Sequence, residues 1–159
     1  MRHRSRVVLA AILTASIAGC GDDPSGPGTP ANPDVIVTAS ASQPRFSRQN
    51  PMVLTVTVEN RTTSPVAFGY GSSTCWLGFE TIHEGAESSL GGGRVCTTDY
   101  ALQGLDAGES HTESFHLDGV LFDWPPPYGR IAAPGIYEIR GVIGDYSSQP
   151  IVVEYYIDP

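Results

Sequence analysis

Cys75 and Cys96 are the residues whose types suit chemistry best. Two thiols form a disulfide, react singly, or join a metal site. Zinc takes four ligands at short spacing, and no histidine lies within four residues of either cysteine. In an exported chain such a pair reads as a disulfide, and closing a loop of this length is worth roughly 3 kcal/mol in the chain-entropy model. His83, His111 and His116 follow the leader; the last two are five apart, so on one strand they face opposite sides and read as surface histidines. Glu109 with Glu113, or Asp118 with Asp123, has the makings of a glycosidase pair, but in an acidic chain solvated faces account for such pairs. Gly-x-Ser-x-Gly is absent. No catalytic residue, cofactor or metal site is expected.

The stretch Leu121-Phe122-Asp123-Trp124-Pro125-Pro126-Pro127-Tyr128 is the most unusual loop. Its prolines favour a stiff polyproline II course. Phe122, Trp124 and Tyr128 on such a loop suit partner binding, because little entropy is lost on contact. Alternatively, Phe122 and Trp124 cap the open end of a core.

Arg2, Arg4 and Arg6 precede an apolar run over 7–15, and Ile17-Ala18-Gly19-Cys20 follows. The segment reads as a targeting leader. About 13 apolar or small residues stand before the cysteine, short of the ~20 needed to span a bilayer. The tetrapeptide resembles the bacterial lipobox. That resemblance implies cleavage before Cys20, a diacylglycerol on its sulfur and an acylated (palmitate-type) new amino terminus. Two or more chains make such an anchor stable. Gly21 after the cysteine, rather than Asp, allows sorting to the outer membrane; inner against outer stays open. Residues 21–30 are Gly, Pro, Ser and Asp with little else, a tether that buries no core. The expected organisation is a signal peptide over 1–19, an acylated Cys20 and flexible linker over 20–33, and one domain over 34–159.

The formal charge is −8. Loss of the three leader arginines leaves six arginines against seventeen acidic side chains, or −11. Phosphate backbones repel such a chain, which argues against nucleic-acid partners.

Strands must position whatever this domain carries. In 51–60, Leu54, Val56 and Val58 share one face and Thr55, Thr57 and Glu59 the other, the period-2 pattern of a half-buried strand. Further strands are expected over 34–39 (an edge), 65–70, 75–82, 110–117, 134–143 and 150–157, with an extended stretch over 95–102. A crossover over 40–50, a glycine-rich flexible hairpin tip over 84–94 and a long loop over 119–133 connect them. No window past the leader has helical periodicity. The fold class is all-β, a single immunoglobulin-like antiparallel sandwich of about seven to nine strands.

Three segments occur in an order that resembles the BsuPI-type intracellular proteinase inhibitor domain, over roughly 51–143. They are the strand ending Val58-Glu59-Asn60, then Leu105-Asp106-Ala107-Gly108-Glu109-Ser110, then Ala133-Pro134-Gly135-Ile136-Tyr137. Where that family has a Trp-rich centre, this chain has Gly91-Gly92-Gly93-Arg94-Val95-Cys96. Tyr137 resembles a tyrosine corner, with its ring inside and its hydroxyl on nearby backbone. The resemblance implies a sandwich, and inhibition of a serine protease through a loop over 84–94 or 121–130. The expected function is a non-catalytic binding module, anchored to the membrane by lipid, facing the periplasm or exterior and meeting an envelope protein or polymer. Proteinase inhibition is the alternative.

Overall fold

The computed structural model describes residues 34–88, 90, 91, 96–121 and 130–159. Cys20, Phe122, Trp124 and Tyr128 lie outside the described residues.

The described chain is all-β and forms a two-layer sandwich of the immunoglobulin-like kind. One layer is β1 (Val35–Ala41), β3 (Met52–Asn60) and β8 (Ser110–Leu117), antiparallel in the order β1-β3-β8. The other runs β2-β11-β9-β5-β6, from β2 (Arg45–Phe46), β11 (Ile151–Tyr155), β9 (Gly135–Ile143), β5 (Gly78–His83) and β6 (Ala86–Ser88). A short β10 (Tyr146–Ser147) folds back on β9. β4 (Val66–Gly71) and β7 (Ala101–Leu105) stand apart as a two-stranded ribbon.

β3 is the central strand of its layer. Met52, Leu54, Val56, Val58 and Asn60 are buried and the residues between them half-buried, as the alternation requires. On the wet face Thr57 meets Thr112 of β8, hydroxyl to hydroxyl at 2.9 Å. The layers touch where Gly141 of β9 lies over Val56: a Cβ there would sit 2.5 Å from a Val56 methyl, so the position takes only glycine without displacing the opposite sheet. Phe79 and Phe115 close the same core edge to face, centroids 5.0 Å apart. Tyr137 is buried and its hydroxyl donates to Ala133 O at 2.8 Å, an arrangement of the tyrosine-corner kind; burial raises its pKa above the ordinary 10.0.

The structure differs from the sequence reading at short elements. The 40–50 segment contains β2, which crosses between layers after Pro44 and pairs parallel with β11; buried Phe46 packs on Tyr155 at 5.2 Å. The hairpin over 84–94 does not open into one long tip. Its turn is Glu84-Gly85 alone, with φ of 52° and 79°, the two positive values of a tight two-residue hairpin, and β6 follows at once. Cys75, Trp76 and Leu77 precede β5 rather than belonging to it, and the strand expected at 95–102 begins at Ala101.

Candidate binding face

The ribbon's register pairs Val66 with Leu105, Ala67 with Gly104, Tyr70 with Leu102 and Gly71 with Ala101. A bulge between Ala67 and Gly69 breaks the alternation. Phe68, on the bulge, packs edge to face with Tyr146 at 5.7 Å.

The ribbon's inner side mixes apolar and polar groups: Leu105 is buried, Val66 and Phe68 pack against the core, and Gln103, also buried, donates from its amide to Ser72 O at 3.0 Å and Cys75 O at 3.3 Å. Outside lie Tyr70, Tyr100 and Leu102, exposed at 61%, 79% and 56%. The tyrosine rings stack nearly parallel, centroids 5.0 Å apart and planes 9° from each other. A shallow groove of about 360 Å³ continues from Leu102 along Pro65, Val66, Ala67 and Gly104, with Asp106 and Glu109 also at its wall. Large exposed apolar groups scattered singly are ordinary; three together beside a groove mark a surface suited to contact.

Both ends of the ribbon are fastened. At the base sits Asn60, wholly buried at the end of β3. Its amide donates to Ser64 O at 2.9 Å, Asp106 O at 3.0 Å and Leu105 O at 3.2 Å, and its Oδ1 accepts from Thr62 N at 3.0 Å. Its backbone N–H donates to Glu109 O and its carbonyl accepts from Gly108 N, both at 2.9 Å. One side chain thus ties the turn before β4 to the turn after β7, and leaves few buried backbone groups there unpaired.

At the far end Cys75 and Cys96 form a disulfide, with Cα atoms 5.5 Å apart. Ser72, Ser73, Thr74 and Thr97 join hydroxyls around it. Thr97 donates its hydroxyl to Asp99, and Ser73 N donates to the same carboxylate at 3.1 Å. The Ser73 and Thr97 hydroxyls and the Ser73 N–H lower the Asp99 pKa from 3.8 to about 2. Tyr100 follows Asp99 directly in the chain.

Glu113 of β8 fastens the same end from below. One carboxylate oxygen accepts from Trp76 N and the other from Leu77 N, both at 3.1 Å. His111 Nε2 lies 3.0 Å from Glu113 Oε1, and the His111 ring tilts against Trp76 at 4.7 Å. Glu113 is therefore occupied in holding backbone. Glu109 accepts from Asp106 N at 2.8 Å within its own turn, and Asp118 from Val120 N at 3.1 Å. The three histidines stand at the surface, two of them with partners. His111, its side chain 37% exposed, packs as described, and half-buried His83 stacks on Tyr137 at 4.3 Å with Nδ1 2.9 Å from Ile136 O, while His116 is exposed.

Of the residues singled out in the sequence, Cys75 and Cys96 are joined as expected. Of the two loops proposed to meet a protease, the first opens on the tight Glu84-Gly85 turn and β6, and positions 92–95 lie outside the described residues, as do 122–129 of the second. Tyr70, Tyr100, Leu102 and Asn60 were not singled out as functional. The faint signal was the pattern Leu102-Gln103-Gly104-Leu105, in which a polar and an apolar residue share one face.

No protein-family model and no curated protein matches the chain. Solved structures do align with it. The alkylpurine DNA glycosylase AlkC of Pseudomonas fluorescens, bound to DNA containing an abasic-site analogue, is 10% identical over 77% of this chain and 30% of its own, with TM-score 0.48. A β-glucosidase of Erythrobacter marinus is 14% identical over 77% of this chain and 16% of its own, with TM-score 0.45. A β-glucosidase of Listeria innocua is 14% identical over 78% and 17%, with TM-score 0.43. The chain spans less than a third of the length of each, and likenesses of this degree carry nothing about its activity.

Proposed function

We propose that this chain is a non-catalytic binding module, anchored by lipid at Cys20 outside the cytoplasm, that meets an envelope protein or polymer through the outer face of the β4–β7 ribbon. The supporting observation is the outer face of that ribbon: Tyr70, Tyr100 and Leu102 stand in water together, beside a groove, while Leu105 and Gln103 are buried on the inner side. Covering such apolar surface is worth about 25 cal/mol per Å². Asn60 at one end and the disulfide at the other hold the ribbon in place. Rigid aromatics that need little further ordering are what a binding surface wants. The anchor rests on the leader and Cys20, which the sequence supplies.

The test is photocrosslinking in a bacterial host that exports the full chain. With p-benzoylphenylalanine at position 102, discrete adducts are expected; the same group at exposed Val152, on the other layer, gives none. Equal adducts at both positions, or none at 102, would remove the ribbon from the interaction. In the same cells Cys20→Ala abolishes incorporation of a labelled fatty acid into the chain and leaves the leader uncleaved.

A further inference from the structure

We infer that the partner's contacting segment is a cationic stretch of polypeptide whose arginine or lysine side chains lie across the Tyr70 and Tyr100 rings; the inference rests on the ribbon being the binding face. Three observations converge. The stacked rings cover one face of each other and leave the outer faces to solvent, with both residues more than half exposed. An aromatic face carries the negative part of the ring quadrupole and attracts a guanidinium or ammonium within about 6 Å of its centre. The carboxylates around this surface are of one sign: Asp99 precedes Tyr100, and Asp106 and Glu109 border the groove that continues from Leu102. Asp99 keeps its charge down to about pH 2 because its neighbours' hydroxyls and an N–H stabilise the carboxylate.

The sequence has no lysine, and its one arginine between Arg61 and Arg130, Arg94, lies outside the described residues. Arg61, at the ribbon's base, is held by Glu59 at 2.8 Å, and Arg45 by Glu154 at 2.8 Å on the other layer. A cationic segment laid along the groove would thus meet aromatic faces at one end, carboxylates at the other and an apolar floor of Pro65, Ala67 and Leu102 between them. Arginine suits this surface best, since its planar head stacks on rings and is weakly hydrated. A second copy of the chain fits it poorly, because both faces would bring the same three carboxylates together.

The purified full chain in zwitterionic micelles is titrated into a fluorescein-labelled peptide of alternating arginine and serine, read by anisotropy. Saturable binding is expected, and a peptide with glutamate in place of arginine does not compete. Y70F/Y100F, which keeps the rings, stays within about twofold of wild type, whereas Y70L/Y100L, which keeps apolar area and loses the quadrupole, weakens binding at least fivefold. Asp106→Asn weakens it severalfold, while E87Q/E138Q, two exposed carboxylates away from the ribbon, leaves it unchanged. Unaltered melting of each variant separates lost contact from lost fold. Wild-type affinity in Y70L/Y100L overturns the proposal, as does an equal loss in E87Q/E138Q, which would reduce the effect to net charge. Displacement of the peptide by a neutral oligosaccharide, or a dimer in sedimentation that Y70L/Y100L dissolves, assigns the face to another occupant and overturns it too. If the peptide fails while adducts at position 102 persist, the ribbon remains the binding face and only the charge of its partner is wrong.

Discussion

β3 and the β4–β7 ribbon are both extended and held by different means. β3 is fixed by what it buries: four apolar side chains and Asn60 point into the sandwich, and threonines line the outside. The ribbon buries Leu105, packs Val66 and Phe68 partly buried against the core, seats Gln103 among buried groups, and exposes Tyr70, Tyr100 and Leu102. Its ends are fastened in addition by one asparagine and one disulfide. An apolar outer face kept in place by such bonds is where function tends to be found.

That contrast predicts which changes loosen one region and spare the other. The largest effect is expected for Cys75→Ala/Cys96→Ala. Opening this loop lowers global stability by about 3 kcal/mol in urea titration. Amide exchange should speed up most at Ala101–Leu105 and least at Met52–Asn60. Uniform acceleration along both would mean that the disulfide serves the sandwich as a whole, and the contrast would fail.

Asn60→Ala comes next, at about 2 kcal/mol. The side chain's acceptors are backbone carbonyls of Ser64, Leu105 and Asp106, and burial without a donor costs roughly 1–3 kcal/mol per group unless water enters. Because Asn60 belongs to β3 yet bonds the ribbon's two turns, this variant should loosen the ribbon's base while leaving the Leu54–Val58 core in place. A loss below about 0.5 kcal/mol would show that the turns hold themselves.

The sequence made the frame legible and the ribbon only in part. β3, β8 and β9 are eight or nine residues long and alternate cleanly, because one side meets water and the other does not. β2, β6 and β10, two or three residues each, are too short to alternate and are specified by their partners. For β4 and β7 the extended stretches over 65–70 and 95–102 are legible and their pairing is not, and period 2 sorts residues into two faces without saying which is inside. Tyr70 and Tyr100 look like core residues by type, and the tertiary contacts of Gln103, Leu105 and Phe68 on the other side decide that they face outward. Asn60 and the Leu105–Ser110 turn are visible in the sequence as separate motifs; that one bonds the other is a long-range fact with no local trace.

The smallest predicted effect concerns acid, and it reaches one end of the ribbon alone. Asp99 has a folded-state pKa of about 2 against the ordinary 3.8, so the folded form binds its proton less readily than the unfolded chain. Its stabilising contribution is complete above pH 3.8, shrinks as pH falls below that value, and is gone once pH has passed through about 2. A carboxyl-carbon NMR titration should find the Asp99 midpoint near 2 in the wild type. Thr97→Val removes one of the hydroxyls that hold the charge and moves the midpoint upward. Across the same range the Tyr70 and Tyr100 resonances should shift with Asp99, while those of buried Tyr137 stay put, since its ring is fixed by the core and by Ala133 rather than by a carboxylate. If all three tyrosines moved together, acid would be acting on the sandwich, and the ribbon's far end would have no separate fastening to lose.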